Sequence, residues 1–368
     1  MLGLAALALP AVGGDLVFRT GFEAGTVGVG GPDLKDLTGS DGTVPGPNDW
    51  VRDLEGYPSI GDFNIEYVAG SSGQRGAGLV DDPTGSVNPV TRAKNRVLRF
   101  WTRKAETAQY TARVQTQVYG NHDLTEATQR VRMYLHPDIR LLESYPGTVN
   151  WFTLQEMFPR PAWTGTPDSY RMGLQIIKDG GAGKKFYFRW NAEQQSPTVA
   201  YWSAKAQDAE VPFGKWFTAE TYYRMGDKNT GRLTFSIAVD GGPMRTIIDV
   251  HDATTNANAP LTPLLDWCPH KLYVNPLYID YVTQRGGTVQ VFWDDWELWA
   301  GKPGTVSLYA PRAAAPDAGE TRVSAGLEPT WAALRDALGR RGHVEATPTE
   351  MGAPNRNVRI GFAIGGTR

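Results

Sequence analysis

Strict apolar/polar alternation recurs in segment after segment of this chain and limits what it can fold into. In KKFYFRWNAE, Phe186, Phe188 and Trp190 share one side, while Tyr187, Arg189, Asn191 and Glu193 share the other. The same period of two runs through DLVFRTGFE, RVLRFWTRK, TARVQTQVY, QRVRMYLHP, WFTLQEMF, SYRMGLQIIK, TVAYWSAK, WFTAETYYRM, RLTFSIAVDG and TVQVFWDDWELW. Side chains alternate across a strand, so each such segment offers one apolar face for burial and one polar face. Clusters of Gly, Pro, Asn and Asp separate them, and helical periodicity is nearly absent. Many short strands with turn residues between them predict an all-β, two-sheet antiparallel sandwich or barrel. The stretch from Gly25 to Asn95, studded with Gly, Pro and Asp, reads as long loops with one or two short strands.

Composition narrows the classes further. Of 368 residues, 41% are hydrophobic, enough for a sizeable core. The formal charge of −2 argues against a dedicated nucleic-acid binder. The single cysteine, Cys268, excludes an intrachain disulfide and a cysteine zinc cluster, and reads as a small buried hydrophobe. His122, His251 and His270 are dispersed without metal-ligand spacing. Leu2 to Val12 has the length of a secretory h-region but lacks a basic residue before it, and predicts a signal-peptide remnant over residues 1–14 and an exported, periplasmic or extracellular protein. Residues 15–301 form the β-domain. Residues 302–325 read as an Ala/Pro-rich linker, and 326–368 as a short helix (EPTWAALRDALGRRG) with a polar tail.

The polar faces carry the functional signal. In QRVRMYLHP they hold Arg130, Arg132, Tyr134 and His136, and in SYRMGLQIIK they hold Arg171 and Gln175. WFTLQEMF contributes Trp151 and Gln155, with Glu156 on the apolar side. Long amides, arginines and aromatics outnumber carboxylates. Guanidinium forks match carboxylates and sulfates, and ring faces suit stacking by sugars. Together these segments predict one groove for an acidic polysaccharide.

The segments FRTGFEAG, WFTLQEMF, VPFGKWFTAETYYRMGDKNTGRLTFSIAVDG and VFWDDWELW resemble the concanavalin A-like jelly-roll superfamily. They are most similar to its polysaccharide lyases related to heparin lyase I, glucuronan lyase and alginate lyases. The resemblance covers about residues 15–301. It implies a β-jelly roll that cleaves a uronate-containing polysaccharide by β-elimination without a catalytic cofactor. The implied catalytic residues are Tyr187 as acid and base, His136 as alternative base, and Gln175 with Arg171 neutralising the uronate carboxylate. Arg132, Tyr134, Trp151, Gln155, Arg189 and Asn191 would bind the chain. The family's Q-I-H motif meets LQIIK here, so Ile177 stands where the histidine would be. The alternatives are a non-catalytic carbohydrate-binding or adhesion module, and a glycoside hydrolase using Glu156, for which no second carboxylate is evident at the needed spacing. In many jelly rolls the first and last strands are neighbours, which implies a structural Ca²⁺ held by Glu23, Asp294 and Asp295. The expected partner is an acidic polysaccharide, with no nucleic acid and no membrane span, for a monomeric chain whose tail is available to dock to another protein.

Overall fold

The structure is a computed structural model that describes residues 13–58, 60–104, 112–122, 124–159, 170–195, 198–239, 242–256 and 264–303. The expected leader (apart from Gly13 and Gly14), most of the linker and the C-terminal helix lie outside these residues.

In chain order the strands are β1 (Asp15–Thr20), β2 (Thr26–Val29), β3 (Asp36–Gly39), β4 (Phe63–Val68), β5 (Arg75–Asp81), β6 (Arg96–Thr102), β7 (Arg113–His122), β8 (Glu126–Leu135) and β9 (Phe152–Pro159). Then come β10 (Arg171–Ile177), β11 (Tyr187–Gln195), β12 (Thr198–Glu210), β13 (Trp216–Arg224), β14 (Arg232–Val239), β15 (Arg245–Val250), β16 (Leu264–Cys268), β17 (Lys271–Val274) and β18 (Val289–Ala300). Among the described residues there is one α-helix, α1 (Pro276–Thr283), capped by the Asn275 side chain on the Leu277 amide. The Gly25–Asn95 stretch is more regular than its composition suggested, because β2, β3, β4 and β5 all lie within it.

Two eight-stranded antiparallel sheets face each other. The first runs β15-β14-β13-β8-β18-β6-β5, with β1 lying beside the second half of β18. The second runs β12-β11-β10-β9, then β16 and β17 end to end between β9 and β7, with β4 on the outer side of β7. The expected two-layer sandwich is thus observed. Trp190 and Trp267 of the second sheet and Trp293 and Trp296 of the first fill the space between the layers, all essentially inaccessible. His270, in the link between β16 and β17, is buried against Trp293, Trp296 and Thr116, and burial pushes its pKa down to about 3. It is a neutral core residue.

One irregularity decides which side chains reach the surface. Across β9 and β10, Leu174 pairs with Gln155 but Gln175 pairs with Thr153, leaving Leu154 as an extra residue. Such a β-bulge turns two consecutive side chains to the same side. Leu154 and Gln155 both enter the interior, where Gln155 donates to Gln129 Oε1 of β8 at 3.0 Å and accepts from Thr221 of β13 at 3.1 Å. Glu156 is correspondingly delivered to the outer face.

Candidate functional site

The outer face of the second sheet is built from cross-strand rows. One runs Tyr273, Thr153, Gln175, Arg189 and Lys205, over β17, β9, β10, β11 and β12. The next runs Cys268, Glu156, Gly173, Asn191 and Ser203. Trp151, just before β9, meets Tyr273 edge-on with ring centroids 5.1 Å apart, and forms an aromatic wall at one flank.

The floor is a charge network. Lys271 Nζ donates to Glu156, and Arg171 bridges Glu156, at 3.5 Å, and Glu193. Lys271 and Glu156 are only 0% and 3% exposed, so neither charge survives there without the other. Burial alone would raise the Glu156 pKa, but Lys271 and Arg171 outweigh it and hold the carboxyl below its usual range. Nearby, burial pushes the Cys268 thiol up to about 12, so it stays protonated and inert.

Two guanidiniums on this face pair with no carboxylate among the described residues. Arg189 donates to the Gln175 amide oxygen at 3.0 Å and to the Asn150 carbonyl at 3.0 Å, both neutral acceptors. Arg113 lies over the Tyr273 ring, 5.0 Å from its centroid, and its buried Nε has no partner. Asn191 Oδ1 and Gln115 Oε1 are likewise buried without a partner. Unmet hydrogen-bonding groups are costly, and three on one face fit a surface built for a polar ligand. At the edge, the Tyr187 hydroxyl donates to Asp179, which also accepts from Lys205 at 2.9 Å. Burial, then the Asp179 hydrogen bond, raise the Tyr187 pKa and keep the phenol protonated.

Gly173 leaves a gap at the centre. A Cβ there would meet Asn191 Oδ1 at 3.7 Å and Gln155 O and Glu156 Cγ at 3.8 Å, ordinary contact distances. Gly173→Leu is therefore expected to fold with a melting temperature near that of the parent while occupying the floor. Affinity for a ligand seated on this face should fall about tenfold or more, roughly 1.4 kcal/mol, by isothermal titration calorimetry.

Of the residues expected to share a groove, the structure brings together Arg171, Gln175, Tyr187, Arg189, Asn191 and Trp151. It does not include Arg132, Tyr134 or His136. Their strand, β8, belongs to the first sheet, between β13 and β18, and these side chains point away from the second sheet. Arg132 lies over Trp216 and near Asp294, at 3.5 Å, while Tyr134 packs with Trp216 and Phe292. His136 caps the 3-10 helix Pro137–Ser144 by accepting from the Asp138 amide at 3.3 Å. Gln155 leaves the face because of the bulge, and Glu156 takes a place on it that strict alternation denied. Lys271 and Tyr273 escaped the sequence reading because KLYV is a four-residue strand. Its alternation, with Leu272 and Val274 buried, was the available signal.

The corner expected to bind calcium forms between β1 and β18. Each expected carboxylate has a protein partner: Asp294 accepts from Asn95 at 2.9 Å, Glu23 from the Arg96 amide at 3.3 Å, and Asp295 lies 3.5 Å from Arg132; Asp41, which the sequence reading did not name, accepts from the Gly21 amide at 2.6 Å. Among the described residues no group of three His, Cys, Asp or Glu side chains that could hold a metal ion is found. Burial and the neighbouring Asp295 push the Asp294 pKa well up. A raised folded-state pKa favours the protonated native form, so stability falls as pH rises from the unfolded to the folded pKa. Asp294→Asn should remove that loss and raise the melting temperature by a few degrees at pH 8, about 1 kcal/mol, with little change at pH 4.

No family model matches the sequence, and no curated protein does. Among solved structures the chain is similar to an endo-β-1,4-glucuronan lyase from the fungus Trichoderma reesei, at 15% identity and a TM-score of 0.36, covering 65% of this chain and 95% of that one. It is also similar to an alginate lyase from Aplysia kurodai, at 8% identity and a TM-score of 0.38, covering 67% of this chain and 93% of that one. A non-specific endo-β-1,3(4)-glucanase matches at 11% identity and a TM-score of 0.37, covering 80% of this chain and 93% of that one. By its own strand order this chain is a jelly-roll β-sandwich. Among the described residues no helix is long and apolar enough to cross a membrane.

Proposed function

We propose that the outer face of the second sheet binds an acidic, uronate-bearing polysaccharide and cleaves it by β-elimination. The observation that carries this reading is Arg189, a half-buried guanidinium fixed by Gln175 with no carboxylate partner among the described residues, one row from the protonated Tyr187. A uronate carboxylate seated on Arg189 and Gln175 loses part of its charge, which acidifies the C5 proton. The C4–O bond then breaks as C4 and C5 become doubly bonded. Tyr187 supplies the proton to the leaving oxygen, and the Tyr187–Asp179 pair takes one from C5, so the unit ends as it began. Trp151 and Tyr273 offer ring faces to a neighbouring sugar.

Hydrolysis is less well supported. Arg171 does bring Glu193 beside Glu156, but a glycosidase needs one protonated carboxyl, and Glu156 is held ionised. Non-catalytic binding by the same face is the second reading. It is favoured by Ile177, opposite Tyr187, where the resemblance read from the sequence implies a histidine.

Incubation with glucuronan, alginate and heparin, following the ultraviolet absorbance of unsaturated uronate, separates the two. Product formation is expected, binding without product establishes the second reading, and neither sinks both. Arg189→Gln is expected to weaken binding by roughly 1.5–3 kcal/mol, the range for hydrogen bonds to a charged group, measured by calorimetry.

A further inference from the structure

The outward face of the first sheet carries an aromatic plate that the proposed reaction does not use. Phe100 of β6 packs inward on Trp293, which turns Trp101 outward. The indole lies against the neighbouring β5 strand at Gly76, where a Cβ would sit 2.8 Å from Trp101 Nε1 and 2.9 Å from Cε2. Only glycine permits that contact, so β5 is shaped to hold the ring down. On the other side Trp101 pairs with Gln290 of β18.

Two guanidiniums flank the plate, with Arg99 Cζ 5.8 Å and Arg103 Cζ 5.2 Å from the ring centroid. Neither pairs with a carboxylate among the described residues, and the buried Arg99 Nε has no partner. Burial, and after it the neighbouring Arg103 charge, lower the Arg99 pKa. Two mutually repelling cations beside a flat apolar ring are complementary to a ligand with a flat apolar face and a fixed negative charge.

We infer that Trp101, Arg99 and Arg103 form a second binding site, on the sheet opposite the proposed cleavage face, for an anionic sugar unit of a polysaccharide. The sugar ring would stack on the indole, with its carboxylate or sulfate between the guanidiniums. A nucleic acid offers similar chemistry, but the net charge of −2 disfavours it.

The test is affinity electrophoresis of the full chain in native gels containing sodium alginate, dextran sulfate, neutral dextran or, in a separate gel, double-stranded DNA. Each protein is run as the parent and as Arg189→Gln, so that this site is read apart from the proposed cleavage face. Retardation by alginate or dextran sulfate is expected to persist in Arg189→Gln and to weaken about tenfold in apparent Kd on adding Trp101→Ala or Arg103→Gln. Alginate against dextran sulfate identifies carboxylate or sulfate as the preferred anion. Arg103 is exposed and lies just past the end of β6, so its variant tests the site even where Trp101→Ala fails to fold. Unchanged retardation in Arg103→Gln, loss of all retardation in Arg189→Gln alone, or equal retardation by DNA would each overturn the inference.

Discussion

Tyr187→Phe is expected to abolish most unsaturated-product formation, lowering kcat by about 100- to 10,000-fold, the usual contribution of a positioned proton donor. KM should change little, because Arg189 and Gln175 hold the carboxylate independently of the phenol. The variant keeps the ring packing and deletes only the hydroxyl that donates to Asp179, so its melting temperature should stay close to the parent's. Steady-state kinetics on the best polyuronate measure both parameters, and an unchanged kcat would remove Tyr187 from the chemistry. The pH profile adds an independent reading. Because burial and Asp179 raise the Tyr187 pKa, a rate that requires the neutral phenol should persist past the pH where an ordinary tyrosine ionises. Asp179→Asn should draw that alkaline limb back toward neutrality.

The second large effect is on stability. Lys271→Met removes the cation buried against Glu156 and leaves that carboxylate, 3% exposed, with Arg171 as its remaining described ion-pair partner. Breaking a buried pair from one side costs roughly 3–5 kcal/mol. At about 2–4 °C per kcal/mol for a domain of this size, the melting temperature should fall by roughly 6–20 °C in calorimetry. The double variant Glu156→Gln/Lys271→Met should regain much of the loss, because no charge is then stranded. Acid titration gives the sign. Glu156 has a folded-state pKa below its unfolded value of about 4.5, so its stabilisation is complete above pH 4.5 and disappears as pH falls through the folded value. Glu156→Gln should lose that acid limb. A single Lys271→Met that melts with the parent would show the pair to be energetically idle.

Much of the sandwich was legible because period-two alternation reports directly on which side chains are buried. Along β10 and β11, paired with each other without a register shift, the alternation assigned Arg171, Gly173 and Gln175 and then Tyr187, Arg189, Asn191 and Glu193 to one shared face, as observed. It failed where its two premises fail. It says nothing about which sheet a strand joins, so QRVRMYLHP looked interchangeable with SYRMGLQIIK although β8 lies in the opposite layer. It also assumes an unbroken pleat, and the extra residue at Leu154 exchanged the roles of Gln155 and Glu156. The Lys271–Glu156 pair joins two segments far apart in the chain, and no local pattern announces such a meeting.

That extra residue also ties the layers to the surface chemistry. The side chain of Gln155 spans the gap to Gln129 and Thr221, while the next residue along the backbone holds the floor carboxylate. Glu156 cannot be re-aimed without dragging a cross-layer tether with it. Under the proposed function, substrate range should accordingly drift through the rim, at Trp151, Lys205 and the loops, while this two-residue anchor stays put.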